Sequence, residues 1–92
     1  MWLSGGPGCS SLFALVVENG PCVVQPRQGK MTSPGLVDND YAWNSKANGI
    51  WVDQPPGTGF STGKMDSNEK EVSDDMYLFL QALFQKFPQF NR

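Results

Sequence analysis

The residues of this chain best placed to do chemistry are Ser4-Gly5-Gly6-Pro7-Gly8-Cys9-Ser10-Ser11. Glycine reaches backbone conformations closed to other residues and lets a ligand approach main-chain N–H groups. Proline fixes its own φ and restricts the residue before it. A stiff loop that exposes N–H groups at the end of a strand suits an anion or a developing oxyanion. The same residues would also serve as a tight strand-to-helix turn with no ligand.

Two further patterns imitate catalytic motifs. Gly59-Phe60-Ser61-Thr62-Gly63 matches G-x-S-x-G, the turn that presents a nucleophilic serine between a strand and a helix. The fit stops at spacing, because Gln54–Thr58 separate the preceding apolar run from Gly59 and the next helical pattern starts well after Gly63. Ser61 is therefore not read as a nucleophile. Gly57–Gly63 also resembles a phosphate-binding loop, but it is one residue too long for G-x-G-x-x-G. Thr58 and Met65 break the P-loop pattern. Histidine is absent from the 92 residues. A Ser-His-Asp triad, which needs an imidazole to take and return the proton, cannot be completed within them. A two-histidine metal site is excluded as well.

The elements that would hold the loop follow from the apolar pattern. Met1–Leu3 reads as the end of a strand, and Ser10–Val17 as a short helix with Leu12, Phe13, Val16 and Val17 on one stripe. Glu18–Asp40 shows little periodicity and reads as a long loop with at most a short strand at Cys22–Gln25. Gly49–Asp53 is a second strand, stopped by Gln54-Pro55-Pro56-Gly57. Thr58–Ser67 is a further loop. Asn68 with Glu71 three residues on predicts a capped helix start. Val72, Met76, Phe79, Leu80, Leu83, Phe84 and Phe87 then recur at helical spacing until Pro88. Glu69 and Glu71 suit the positive end of that helix and Lys86 the negative end. Strand, loop, helix, strand, helix is the rhythm of a parallel α/β sheet. Two short strands give the long helix little to pack on, so the rest of such a sheet is expected outside these residues.

Composition narrows the classes. Ninety-two residues suffice for one small domain, 39% of them hydrophobic and 17% charged, with a net charge of −2. That balance offers no basic patch for nucleic acid. No run approaches the ~20 apolar residues of a membrane span. No signal peptide precedes the first strand, although Met1 opens inside an apparent buried strand and reads as an internal residue. Cys9 and Cys22 are the two cysteines, open between one disulfide, two free thiols, or halves of bridges to other residues.

Trp2-Leu3-Ser4-Gly5-Gly6-Pro7-Gly8-Cys9-Ser10-Ser11 resembles the signature of the serine carboxypeptidase family, where the Ser4 position usually holds Asn or Thr. Four more blocks match in the same order: Glu18-Asn19-Gly20-Pro21, Tyr41-Ala42-Trp43-Asn44, the stretch from Val52 to Ser61, and the stretch from Asp75 to Phe84. The resemblance implies an α/β-hydrolase fold, of which residues 1–92 would supply the early strands, the oxyanion loop and the following helix. The nucleophile elbow would come later in such a chain. It implies a partial serine carboxypeptidase that releases C-terminal residues from peptides through an acyl-enzyme, without a cofactor or metal, and that is inactive without the rest of its chain. Acyl transfer on the same fold and a non-catalytic scaffold that binds a partner protein are the alternatives. The compartment implied is secretory, vacuolar or lysosomal, or extracellular.

Residue by residue, the resemblance makes the N–H of Gly6 one oxyanion donor. Ser4, Gly5 and Glu18 become readers of the substrate's free carboxylate, Phe13 and Val17 walls of the adjoining side-chain pocket, and Cys9 half of a disulfide. Ser4 has one hydroxyl where an amide is usual, which shortens its reach. A carboxyl such as Glu18 beside a substrate carboxylate is tolerated best when a proton is shared, so the site suits acid. Trp43, Trp51 and Phe60 read as core or pocket wall. For Trp43-Asn44 and Asp53-Gln54, support of the cleft and contact with its ligand both remain open.

Overall fold

The computed structural model of the chain describes residues 1–6, 8–27 and 30–91. Its elements run α1 (Ser11–Val17), β1 (Cys22–Arg27), β2 (Lys30–Asp38), a 3₁₀ turn (Trp43–Ser45), α2 (Glu69–Lys86) and a second 3₁₀ turn (Pro88–Phe90).

The two expected parallel strands meet at a single parallel bridge between Trp2 and Trp51. Trp2 N–H donates to the Ile50 carbonyl at 2.8 Å, and Val52 N–H donates to the Trp2 carbonyl at 3.3 Å. Parallel strands depend on neighbours and on helices over both faces, and this pair has neither in full. One rung is what survives of Met1–Leu3 and Gly49–Asp53 as strands.

The long loop expected over Glu18–Asp40 is corrected: most of it is an antiparallel hairpin of β1 and β2. Cys22 faces Asp38, Val24 faces Leu36, and Pro26 faces Pro34, with an irregularity between Pro26 and Arg27. The prolines hid these strands from the pattern. Because they oppose one another, the two missing N–H donors fall on one rung.

Both helices start where their caps predict. The Ser10 hydroxyl accepts the Leu12 N–H at 3.2 Å. The Asn68 side chain accepts the Glu71 N–H at 3.0 Å, and the Glu71 carboxylate reaches back one residue beyond the cap, accepting the Ser67 N–H at 2.8 Å. At the far end of α1, Glu18 and Asn19 N–H groups both donate to the Ala14 carbonyl. The chain then folds back so tightly that any side chain at Gly20 would overlap the Leu15 carbonyl.

Packing is sparse. Ala14 is the one buried apolar residue among those described, alongside buried Ser11, Asn19 and Thr58. The α2 stripe is left largely uncovered, as the shortage of strands led one to expect: α2 buries no residue, and two gaps lie beside it. One, of about 290 Å³, separates Val72, Met76 and Phe79 from Val52–Pro56. The other, of about 610 Å³, separates Leu83, Phe84 and Phe87 from Ile50 and Trp51. The radius of gyration is 15.6 Å, against about 12 Å for a closed domain of this length. Among the described residues, no helix is long and apolar enough to cross a membrane.

Candidate functional site

The end of the first strand and the start of α1 enclose a cleft of about 580 Å³. Trp2, Ser4, Gly5, Cys9, Ser10, Phe13 and Glu18 line it. The structure thus brings Ser4, Gly5, Phe13 and Glu18 to one place, although Glu18 lies fourteen residues from Ser4 in sequence. Val17 is on α1 but outside the cleft wall, with its side chain about half exposed.

Ser4 is held from two sides. Its N–H donates to the hydroxyl of Ser11 at 2.9 Å, and Ser11 is only 1% exposed. Its own hydroxyl oxygen accepts the Trp2 indole N–H at 3.1 Å. With an acceptor site on Ser4 Oγ already filled, the hydroxyl proton is available to an acceptor in the cleft. Trp2 is braced in turn by Trp43, edge to face at 5.1 Å between ring centres.

Gly6 adopts φ +147°, a region that disfavours a side chain, and a Cβ there would press on Cys9 Sγ at 3.1 Å and Cys9 N at 3.2 Å. Among the described residues its N–H meets no acceptor. The cleft wall does not include Gly6, which sits at its edge beside Gly5. Cys9 carries a free, exposed thiol, and Cys22 is free and half-buried.

Glu18 is exposed, at the C-terminal end of α1. Its backbone is fixed from a distance: the Asn39 amide donates to the carbonyls of Glu18 at 3.2 Å and Gly20 at 2.9 Å, and accepts the Tyr41 N–H at 3.0 Å. Asn19, buried, accepts the Trp51 indole N–H at 2.8 Å. The acid end of the cleft is therefore tied to β2's exit and to the second strand.

Ser61 is engaged elsewhere. Its hydroxyl donates to the Asp53 carbonyl at 2.6 Å, and its N–H closes a turn onto the Thr58 carbonyl. The expectation of core or pocket wall is corrected for Phe60 alone, which is 86% exposed and does not line the cleft. Trp43, although 68% exposed, walls a separate hollow of about 190 Å³ with Trp2, Asn19 and Trp51. Trp51 is half-buried. Among the described residues, no three His, Cys, Asp or Glu side chains gather to hold a metal ion.

Asp53 is the residue whose importance the sequence left open. Its Oδ1 accepts the Ser10 hydroxyl at 2.6 Å and the Leu12 N–H at 3.4 Å, and its Oδ2 accepts the Phe60 N–H at 3.0 Å. Burial acts to raise its pKa, but the hydrogen bonds from Ser10, Phe60, Leu12 and Ser11 together outweigh it and hold the carboxyl below its ordinary value. A strand-end acid before a Pro-Gly turn was the available signal. Its partners at Ser10 and Leu12 lie some forty residues away.

A family model described as serine carboxypeptidase matches residues 1–92. A serine carboxypeptidase-like protein of Oryza sativa subsp. japonica is 47% identical over 94 residues, covering 98% of this chain and 20% of that protein. Serine carboxypeptidase 3 of Hordeum vulgare is 45% identical, covering 98% of this chain and 17% of the relative. The solved structure of Kex1(delta)p, a prohormone-processing carboxypeptidase from Saccharomyces cerevisiae, superposes with a TM-score of 0.82 at 36% identity. That match covers 97% of this chain and 20% of the other. The chain thus spans about a fifth of the length of the relatives it matches.

Proposed function

This chain belongs to the serine carboxypeptidase family, and from that membership we propose that it is the carboxylate-reading segment of a serine-type carboxypeptidase with an α/β-hydrolase fold. The observation that carries the proposal is the shared cleft of Ser4, Gly5, Phe13 and Glu18. Ser4 offers a hydroxyl proton that its Trp2 partner leaves available, and Gly5 is open to solvent with no neighbour over its α-carbon. Glu18 shares a proton with the substrate's terminal carboxylate in acid, where two bare carboxylates would repel. Phe13, 59% exposed, is an apolar surface for the terminal side chain.

In this reading the Gly6 N–H faces the carbonyl oxygen of the scissile bond as it gains charge, and one such donor is worth about 10²–10³-fold in turnover. The acyl-enzyme forms on a serine supplied from outside residues 1–92, since these contain no histidine to activate one and Ser61 is held by Asp53. Cys9, exposed and free here, is half of a disulfide to a cysteine elsewhere in the longer polypeptide. Such a protein works in the secretory pathway, in a vacuole or lysosome, or outside the cell. No cofactor is required.

The test is on the full-length polypeptide that carries these residues. An N-blocked dipeptide with a free C-terminus should lose its last residue, and the matching C-terminal amide should react far more slowly. Equal rates on both, or none on either, would refute the assignment.

A further inference from the structure

Three segments behind the cleft's loop converge on one carboxylate. The Asp53 side chain joins three pieces of backbone that sequence separates: its own strand end, the first turn of α1 through Ser10 and Leu12, and the turn at Phe60. Its backbone carbonyl holds Ser61 as well, at 2.6 Å. The approach is close: a side chain at Gly59 would overlap the Asp53 carboxylate and lie 2.8 Å from Ser10 Oγ.

Ser10 caps α1 while donating its own proton to Asp53, so the cap's orientation depends on the acid. The next residue, Ser11, carries the only described side-chain contact to the Ser4 N–H. The path from Asp53 to the cleft is thus two hydrogen bonds and one peptide unit long.

We propose that Asp53 is the positioning residue for the loop residues Ser4–Gly6 and Gly8–Ser11, holding Ser4, Gly5 and the Gly6 N–H in the geometry that binds and polarises the substrate. The assignment rests on the carboxypeptidase reading above and adds to it a residue that touches no substrate. The site demands a carboxylate. It receives a hydroxyl proton and one N–H on Oδ1 and a second N–H on Oδ2, so both oxygens must accept. Asparagine has the same shape but turns an NH₂ toward one of these donors, releasing either the α1 cap or the Phe60 turn. Glutamate is a methylene longer and meets the wall formed by Gly59.

The experiment uses the full-length polypeptide with Asp53→Asn and Ser10→Ala, singly and together. Two readouts are taken: kcat per titrated active site on a peptide with a free C-terminus, and amide hydrogen exchange of peptides spanning residues 4–13 and 69–86. Asp53→Asn should lower kcat per site by about 10²-fold, the scale of an ångström-sized misplacement. Exchange at 4–13 should speed up while α2 stays unchanged. The double variant should fall short of the product of the two single effects, because both changes cut the Ser10–Asp53 bond. If Asp53→Asn does not fold, Ser10→Ala, which leaves the acid intact, must still speed exchange at 4–13. Unchanged exchange at 4–13, or a fall only in the number of active sites with kcat per site preserved, overturns the proposal. If the wild type releases no C-terminal residue, the carboxypeptidase reading fails while the exchange comparison still decides whether Asp53 positions the loop.

Discussion

The indole N–H of Trp2 donates to the hydroxyl oxygen of Ser4 at 3.1 Å, which leaves the Ser4 proton for a ligand. Trp2→Phe keeps an aromatic ring against Trp43 but removes that donor. KM for peptides with a free C-terminus should rise roughly two- to tenfold, the worth of one hydrogen bond, with kcat little changed. Steady-state kinetics on the full-length polypeptide check this. An unaltered KM would mean the Ser4 hydroxyl does not reach the substrate.

Gly20 has no room for a methyl group, since a Cβ there would overlap the Leu15 carbonyl. Gly20→Ala must push the fold-back away from α1 and pull Glu18 with it. A loss of about 1–3 kcal/mol is expected for such overpacking, read as a fall in the denaturation midpoint of the full-length polypeptide. The same change at Gly5, where no atom stands within 4 Å, should leave the midpoint nearly unmoved.

Two aspartates should respond to pH with opposite signs. Asp53 is held below its ordinary value of 3.8, so its contribution to stability is present above that pH and is lost as the pH falls through the lower folded-state pKa. Asp66 is pushed up by burial and by the charges of Asp75 and Glu71, against the opposing pull of Lys64, and its Oδ2 is enclosed without a partner among the described residues. Its ionised form therefore costs stability above its raised pKa, and the cost disappears as the pH falls through it. Asp66→Asn should raise the melting temperature at pH 7 and lose that gain in acid. The melting deficit of Asp53→Asn should shrink only below about pH 3.8. Thermal melts of the full-length polypeptide from pH 7 down to pH 3 separate the two.

Much of this was legible in the sequence because it is local. Asn68 with Glu71, Ser10 before an apolar run, and the spacing from Val72 to Phe87 each carry their physics within one helical turn. The hairpin was not legible, because Pro26 and Pro34 look like breakers until they are seen to face one another. Within the cleft, Ser4, Gly5, Phe13 and Glu18 came from motif resemblance, and the structure places them together. The supports escaped. Asn39 reaches back about twenty residues to Glu18, and Asp53 about forty to Ser10. No local pattern encodes a hydrogen bond at that range.

The 92 residues by themselves should neither hydrolyse peptides nor melt cooperatively. They contain no histidine, bury one apolar residue among those described, and leave Phe13, Leu36, Tyr41, Trp43 and Phe60 open to water. Helical circular dichroism should survive while the near-ultraviolet tryptophan signal is weak. A sharp melt of a soluble monomer with full aromatic signal would show a self-sufficient domain instead.

Whether Glu18 reads the free carboxylate is decided by comparing two substrates. In the full-length polypeptide, Glu18→Gln should reduce kcat/KM on a peptide with a free C-terminus by at least tenfold more than on its C-terminal amide, and should shift the pH optimum. Equal losses on the two substrates, with the optimum unmoved, would make Glu18 a helix-end carboxylate and contradict the account.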